Sequence, residues 1–286
     1  MIPSAFEYVA PASLGEATAF LTAHKDDSKL LAGGHSLIPL MKLRLAAPKY
    51  LVDLAHIPNL RDIKQVGGAI EIGAMATHHE IESSEIIRGQ IPALAQAAAS
   101  IGDVQVRNRG TLGGSLAHAD PAADYPAVIL ALDAEITAIG PNGQRVIKAT
   151  EFFVNLLTTV LESNEIITSI RVPIPAAGTR VSYQKFPHPA SHFAITGVAA
   201  AIKLGANGTC ATAAIGVTGA GSKAVRATAA EASLVGKTLD AAALSQAGAL
   251  AADAIDPIGD IHASDEYRRH LVREFTARAI RAAAGS

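Results

Sequence analysis

Two glycine pairs, eighty residues apart, each follow an apolar run and precede a serine. Gly33-Gly34 lies in "LLAGGHSLIPLMKLRL", which begins at Leu30, and Gly113-Gly114 lies in "RNRGTLGGSLAHADPAADYP". A glycine pair lets the backbone approach a ligand closely and turn its N–H groups toward it. One such pair reads as a tight turn. Two of them, with hydroxyl donors at Ser36, Thr111 and Ser115, suggest a fold that brings both loops to one anion. A pyrophosphate suits such donors, because amides stabilise its charge without any lysine. The acidic stretch "HADPAADYP" follows the second pair directly. There Asp120 or Asp124 could accept hydrogen bonds from ribose or ribityl hydroxyls, whereas beside a bare phosphate a carboxylate would repel. A nucleotide carrying sugar alcohols fits this combination.

The flanking segments set the frame. Ser13 and Glu16 form a capping box ahead of Leu14, Ala17 and Leu21 at helical spacing, and Thr77 with Glu80 forms another. "KLLA" (29–32), "YLVDL" (50–54), "AIEIGAM" (69–75), "EITAIG" (135–140) and "EIITSIRVP" (165–173) read as strands. Helices start at Pro92 and Pro126. Pro173, Pro175 and Gly178 mark a boundary. Beyond it, "YQKF" and "FAITGVAAAIKL" read as strands, a turn at Asn207-Gly208 leads into "TCATAAIGVT" as a hairpin, and three alanine-rich helices end the chain. Sheet first and helices after is the pattern of a small α+β domain.

Charge and composition exclude several classes. A formal net charge of -2 over 286 residues gives no electrostatic case for nucleic acid or an anionic membrane. Apolar runs such as "PAVILALDAEITAIG" meet charge well short of a ~20-residue membrane span. The N-terminus shows no basic-then-apolar secretory pattern, so the expectation is a soluble cytoplasmic chain. The single Cys210 excludes an iron–sulfur cluster or a multi-thiolate zinc site held by this chain and reads as a buried, inert thiol.

Other motifs fail on context. "GVTGAGSKAVRA" fits G-x-G-x-x-A with Asp240 downstream, but no second parallel strand follows, so an ordinary hairpin exit is expected. The Walker pattern fails because Lys223 is one place too far along, and "GHSLI" lacks the second glycine of a nucleophile elbow. Pro187 and Pro189 argue against a helix aiming His188 and His192 at one metal. His78 and His79 point apart at a helix start, and a solvated or hydrogen-bonded role is expected for them.

The segments "LAGGHSLIPLMKLRLAAPKYLVDL", "RNRGTLGGSLAHADPAADYPA" and "EIITSIRVP" together resemble the flavin-binding medium subunit of the molybdenum hydroxylases, within it the carbon monoxide dehydrogenase branch. The resemblance runs through nearly the whole chain. It implies an α+β fold: an FAD-binding domain of the vanillyl-alcohol-oxidase type over 1–177, with subdomains of about 1–55 and 56–177, and a C-terminal domain, an antiparallel sheet with helices, over 178–286. By that resemblance Ala32, Gly33, Gly34, His35, Ser36 and Leu37, with Thr111, Gly113, Gly114 and Ser115, hold the FAD pyrophosphate from both sides. Ile101 lies at the flavin, Asp124 binds cofactor hydroxyls, with Asp120 beside it, and Lys185, close after Tyr183, lies near the flavin. Phe193 stands where relatives commonly carry a tyrosine near the isoalloxazine ring. "PHPASHF" departs from the commoner basic R-x-G-D-Y/F segment, which puts the exposure of the flavin edge in question. Ser115 replaces a common asparagine with a donor of shorter reach.

The implied partners are a large subunit with the molybdenum cofactor and a small subunit with two [2Fe–2S] clusters, assembled as a dimer of heterotrimers. No metal belongs to this chain and no catalytic acid or base in it touches the organic substrate. Electrons reach an external acceptor, through which the complex could associate with a membrane. Carbon monoxide competes as substrate with an aldehyde or an N-heterocycle. A stand-alone FAD oxidase is weakened by the lack of a substrate-cap domain, and a nonenzymatic nucleotide-binding module would show no flavin spectrum.

Overall fold

The computed structural model describes residues 1–285. The described residues form three units, each built on its own sheet, and the second unit carries a further two-stranded ribbon. The first unit holds β1 (Glu7–Val9), α1 (Leu14–Ala23), β2 (Ser28–Leu31), α2 (Leu37–Lys42) and β3 (Tyr50–Asp53). β1 and β2 flank β3 and run parallel to it, so each connection must cross over, and α1 and α2 are those crossovers. Ser13 caps α1 by accepting from the Glu16 amide at 3.2 Å, and the helix buries Ala17 and Leu21 against Val52 and Leu54.

The second unit runs through β4 (Ile63–Val66), β5 (Ala69–Gly73), α3 (His78–Ser83), α4 (Glu85–Gln90), α5 (Pro92–Ala99), α6 (Val104–Arg107), α7 (Leu112–His118) and α8 (Tyr125–Ala131). It continues with β6 (Glu135–Gly140), β7 (Gly143–Lys148), α9 (Ala149–Phe152), β8 (Phe153–Asn155), β9 (Thr158–Thr159) and β10 (Ile166–Pro173). Five strands form an antiparallel sheet in the order β4-β5-β10-β6-β7. Its core joins Ile70, Ile72, Ile136 and Ile170 from the sheet to Leu94, Leu112, Leu116 and Ile129 from the helices.

The third unit is β11 (Thr179–Pro187), β12 (Ala194–Leu204), β13 (Cys210–Thr218), β14 (Val225–Arg226), α10 (Thr228–Leu234), α11 (Ala241–Asp253) and α12 (Asp265–Ala284). Its strands pair antiparallel in sequence order. On β12, Ala199 and Ala201 enter the core of the second unit, while Val198, Ala200 and Ile202 enter the core beneath the C-terminal helices. A sheet buried on both faces explains why "FAITGVAAAIKL" is almost continuously apolar instead of alternating. Along β11 the alternation survives in polar form: the Ser182 hydroxyl donates to the Ala279 carbonyl of α12 at 2.7 Å, and Tyr183 and Lys185 reach the second unit.

The fold is α+β, as the sequence indicates. The expected strands, the Thr77–Glu80 capping box, the Asn207-Gly208 hairpin and three C-terminal helices form, and the G-x-G-x-x-A segment leads into β14, antiparallel to β13. At α1 only the Ser13 half of the expected box forms, because the Glu16 carboxylate accepts from the Ala12 amide. Two further readings change. The second glycine pair is not a loop: it sits in the first turn of α7, with Thr111 as N-cap. The residues after the first pair also form a helix, α2. Both helices are short, and glycine at two of the first three positions of α7 hides the second from propensity. β1, β4 and β7 carry too little apolar alternation to be read locally, since most of their side chains face solvent.

Candidate functional site: two glycine segments and a buried ion pair

β2 delivers the first glycine pair to the edge of the second unit. A Cβ on Gly33 would stand 2.2 Å from the Arg109 carbonyl oxygen and 2.7 Å from Gly110 Cα, so only glycine permits this contact. Gly34 has φ +75°, the left-handed region. The loop therefore turns sharply while pressed on the turn before α7. Among the described residues, the amides of Gly33, Gly34, His35, Ser36 and Leu37 donate no hydrogen bond. Five consecutive free donors, in a turn with one left-handed residue at a helix start, are the kind of backbone segment that binds anions. The His35 ring folds back on the same loop, its Nδ1 3.0 Å from the Gly33 carbonyl.

The second segment contributes differently. The Leu112 and Gly113 amides bond the Ala76 and Ala74 carbonyls at 3.0 and 2.8 Å, and the Gly114 amide bonds Thr111 Oγ1 at 3.1 Å. These donors are spent on the fold. A Cβ on Gly113 would stand 2.5 Å from that of Ala74, so this glycine serves the packing of α7 on the end of β5, not a ligand. What remains toward the first loop is Gly114, whose Cβ would meet Ala32 at 3.5 Å, and the Ser115 hydroxyl, which makes no bond among the described residues. The two segments do meet, but they differ: the amides of the first are free, whereas those of the second are spent on the fold and leave it a platform for the first.

Asp124 and Lys185 form a second locus. Lys185 Nζ lies 2.8 Å from an Asp124 oxygen and donates to the Ser100 carbonyl at 2.9 Å, while Tyr183 donates to Asp124 at 2.6 Å. Asp124 is 3% exposed. Burial pushes its carboxyl above the ordinary value, opposed by Lys185, Tyr183 and Ser100. The carboxylate is thus committed within the protein, where it ties β11 to the Ser100–Ile101 turn, and it is not presented as a free acceptor of ligand hydroxyls. Ile101 follows the anchored carbonyl directly. Asp120 and Phe193 belong to a third place, a cleft of about 360 Å³ shared with His188, Asp260, His262 and Arg268. Phe193 is 49% exposed at its rim.

His78 escaped the sequence reading as a site residue. It begins α3, is buried, and its Nδ1 lies 3.0 Å from the Tyr125 hydroxyl of α8. The capping box placed it at a helix start, but nothing local pairs residues 47 positions apart. Burial, then His35 and Arg107 nearby, lower its pKa to about 4. An unfolded histidine titrates near 6.5, so stability from neutral His78 is complete above that value and is lost as pH falls toward 4. Between pH 7 and 4.5 the loss is about 2–3 kcal/mol. Urea unfolding of the chain and of His78→Gln at the two pH values should show the variant's acid loss smaller by that amount. Equal losses would show that another group drives the acid limb.

The fold and the site together define a flavoprotein unit of the molybdenum dehydrogenases. Residues 4–175 match the FAD binding domain in molybdopterin dehydrogenase and residues 181–283 match the CO dehydrogenase flavoprotein C-terminal domain, so the chain belongs to this family and FAD is its cofactor. It is similar to the medium chain of carbon monoxide dehydrogenase from Hydrogenophaga pseudoflava, 40% identical over 283 residues, 99% of this chain and 98% of that one. It is 38% identical over 280 residues to subunit alpha of the 6-hydroxypseudooxynicotine dehydrogenase complex of Paenarthrobacter nicotinovorans, covering 98% and 95% of the two chains. A solved carbon monoxide dehydrogenase of H. pseudoflava, lacking the Mo-pyranopterin moiety, superposes with a TM-score of 0.97 at 42% identity, over 100% of this chain and 99% of that one. No helix among the described residues is long and apolar enough to cross a membrane.

The residues fit the cofactor. A diphosphate needs several convergent donors and no free carboxylate, and the Gly33–Leu37 amides supply the donors.

Proposed function

We propose that this chain is the electron-transferring flavin subunit of a molybdenum hydroxylase complex. Electrons arrive from the [2Fe–2S] clusters of a small subunit, and a large molybdenum subunit oxidises the substrate. We assign carbon monoxide as that substrate, on the likeness to carbon monoxide dehydrogenase medium chains; the 6-hydroxypseudooxynicotine dehydrogenase subunit supports an N-heterocycle-derived substrate as the second reading. The run of five unpaired amides on a loop locked to α7 carries the flavin assignment.

FAD, when bound, supplies the exchange between one-electron and two-electron carriers. The protein's part is to hold it. Residues 1–177 form the FAD-binding domain in this reading, and 178–286 close over it. Ala32 to Leu37 hold the diphosphate, with Thr111 and Ser115 hydroxyls beside them and Gly113 and Gly114 bringing α7 close. Lys185 fixes the Ser100 carbonyl and so positions Ile101 against the flavin, and Asp124 holds Lys185. Asp120 and Phe193 line the separate cleft with His188 and His262. The complex is a cytoplasmic dimer of heterotrimers that reduces an external acceptor.

FAD should be released by acid precipitation, because no histidine, cysteine or tyrosine sits in a recognisable attachment context. Mixing the reconstituted complex with substrate should bleach the flavin, and adding an acceptor should restore its colour. A complex that reduces its iron–sulfur centres but leaves bound FAD oxidised would overturn the electron-transfer reading.

A further inference from the structure

We infer that His78 is part of the diphosphate site: its Nε2–H donates to the anion, and Tyr125 holds the ring in the donating tautomer. The inference rests on the reading that the Gly33–Leu37 loop holds the FAD diphosphate. Tyr125 is fully buried and its hydroxyl has one partner among the described residues, Nδ1 of His78 at 3.0 Å. Burial raises the Tyr125 pKa well above its ordinary value, so the phenol keeps its proton. With no other acceptor in reach, that proton points at Nδ1, and the ring's own proton sits on Nε2.

Nε2 lies against the junction of the two glycine segments. A Cβ on Gly110 would stand 2.5 Å from it, and the same Gly110 is packed on by the first loop, since a Cβ on Gly33 would stand 2.7 Å from its Cα. No hydrogen bond among the described residues uses Nε2. The sealed polar atoms without a partner are Ser28 Oγ, Arg268 Nε and Thr276 Oγ1; Nε2 is not among them, so it keeps an opening to solvent. The residue as a whole is only 5% exposed. A buried imidazole with one nitrogen satisfied and the other waiting points to a ligand acceptor.

The surrounding charges favour an anion. His35 from the first loop and Arg107 from α6 stand close enough to act on the ring, and Arg107 is paired to Glu82 at 2.9 Å. The Glu80 carboxylate on the same helix is taken up by the Thr77 amide and hydroxyl. Asp124, next to Tyr125, is paired to Lys185. No carboxylate among these is left free to compete for the donor. Because Tyr125 supplies the proton at Nδ1, His78 donates as a neutral ring, and its contribution should be flat across pH 6 to 8.

The test is titration of the full chain, prepared without FAD, with FAD, ADP and riboflavin. His78→Leu should weaken FAD and ADP about 10- to 100-fold, the loss of one hydrogen bond to a charged group, and leave riboflavin unchanged. His78→Gln, whose amide nitrogen reaches the Nε2 position, should restore most of the affinity. Tyr125→Phe, which frees the ring to carry its proton on Nδ1 instead, should weaken FAD and ADP several-fold and leave riboflavin unchanged. Equal weakening of all three ligands, or a Gln variant no better than Leu, would reduce His78 to a brace of the loop and overturn the inference. If the variants do not fold, the imidazole nitrogen resonances of the native chain decide: Nε2 must shift on adding FAD while Nδ1 stays an acceptor, and an unmoved Nε2 overturns it. Gly34→Val separates the two claims. Loss of FAD in that variant but not in the His78 variants discards the histidine alone, whereas FAD retained in all of them discards the loop reading.

Discussion

Gly33→Val should yield a folded chain that binds FAD at least about 100-fold more weakly. The new Cβ would stand 2.2 Å from the Arg109 carbonyl oxygen, a backbone atom that cannot swing aside, so the loop must lift from the platform of α7. Lifting it misaligns the run of free amides from Gly33 to Leu37. Two or three amide–phosphate bonds, at about 1.5–3 kcal/mol each, account for the loss. Gly34→Val should act alike for a second reason: φ is +75°, where a β-branched residue is strained, and its Cβ would stand 2.8 Å from Ile38 Cδ1. Gly113→Val should differ, because its Cβ meets Ala74 in the packing of α7 on β5; that variant should lose thermal stability along with FAD. Gly143 and Gly208 are controls, with φ +97° and +78° and open space around them. Alanine there should cost about 1 kcal/mol of stability and no FAD affinity. Flavin content by absorbance, read beside a melting curve, separates these outcomes. Stoichiometric FAD in both Gly33→Val and Gly34→Val would falsify the loop assignment.

Asp124→Ala should destabilise the chain by about 3–5 kcal/mol, the range for removing one partner of a buried pair. It strands the Lys185 ammonium, whose side chain is 7% exposed, and the Tyr183 hydroxyl. Lys185→Met should cost less at low pH than at high pH. Without the lysine, burial drives the Asp124 carboxyl further up, and a carboxyl raised in the folded state is stabilising when protonated and loses that contribution as pH rises. Urea unfolding at pH 5 and 8 should therefore show the Lys185→Met deficit growing with pH, while that of Asp124→Ala stays nearly constant. The double variant Asp124→Asn/Lys185→Met keeps an acceptor for Tyr183 and carries no buried charge, so it should recover much of the lost stability. A Lys185→Met deficit that is independent of pH would show that the carboxylate is solvated and that the pair does not tie β11 to the Ser100 turn.

Local chemistry was legible from residue order. Ser13 with Glu16 and Thr77 with Glu80 announced two helix starts, Asn207-Gly208 announced the hairpin, and the glycine pairs announced segments of close approach, because capping and turn conformation depend on residues a few positions apart. The family resemblance carried the cofactor. What each glycine is for was not legible. Gly34 answers a backbone angle, Gly33 the carbonyl of Arg109 and Gly113 the side chain of Ala74, and the last two constraints come from residues tens of positions away. The same holds for Asp124. Its place within "HADPAADYP" suggested a ligand acceptor, yet Lys185 and Tyr183, about sixty residues on, occupy it first. His78 shows the limit most plainly: as a helix-start histidine it had no local reason to be buried, and only the packing of α3 on α8 and Gly110 desolvates it and hands it to Tyr125. Conformational preference is written into neighbours along the chain, whereas desolvation and pairing are set by neighbours in space, and those exist only once the sheets and helices have assembled.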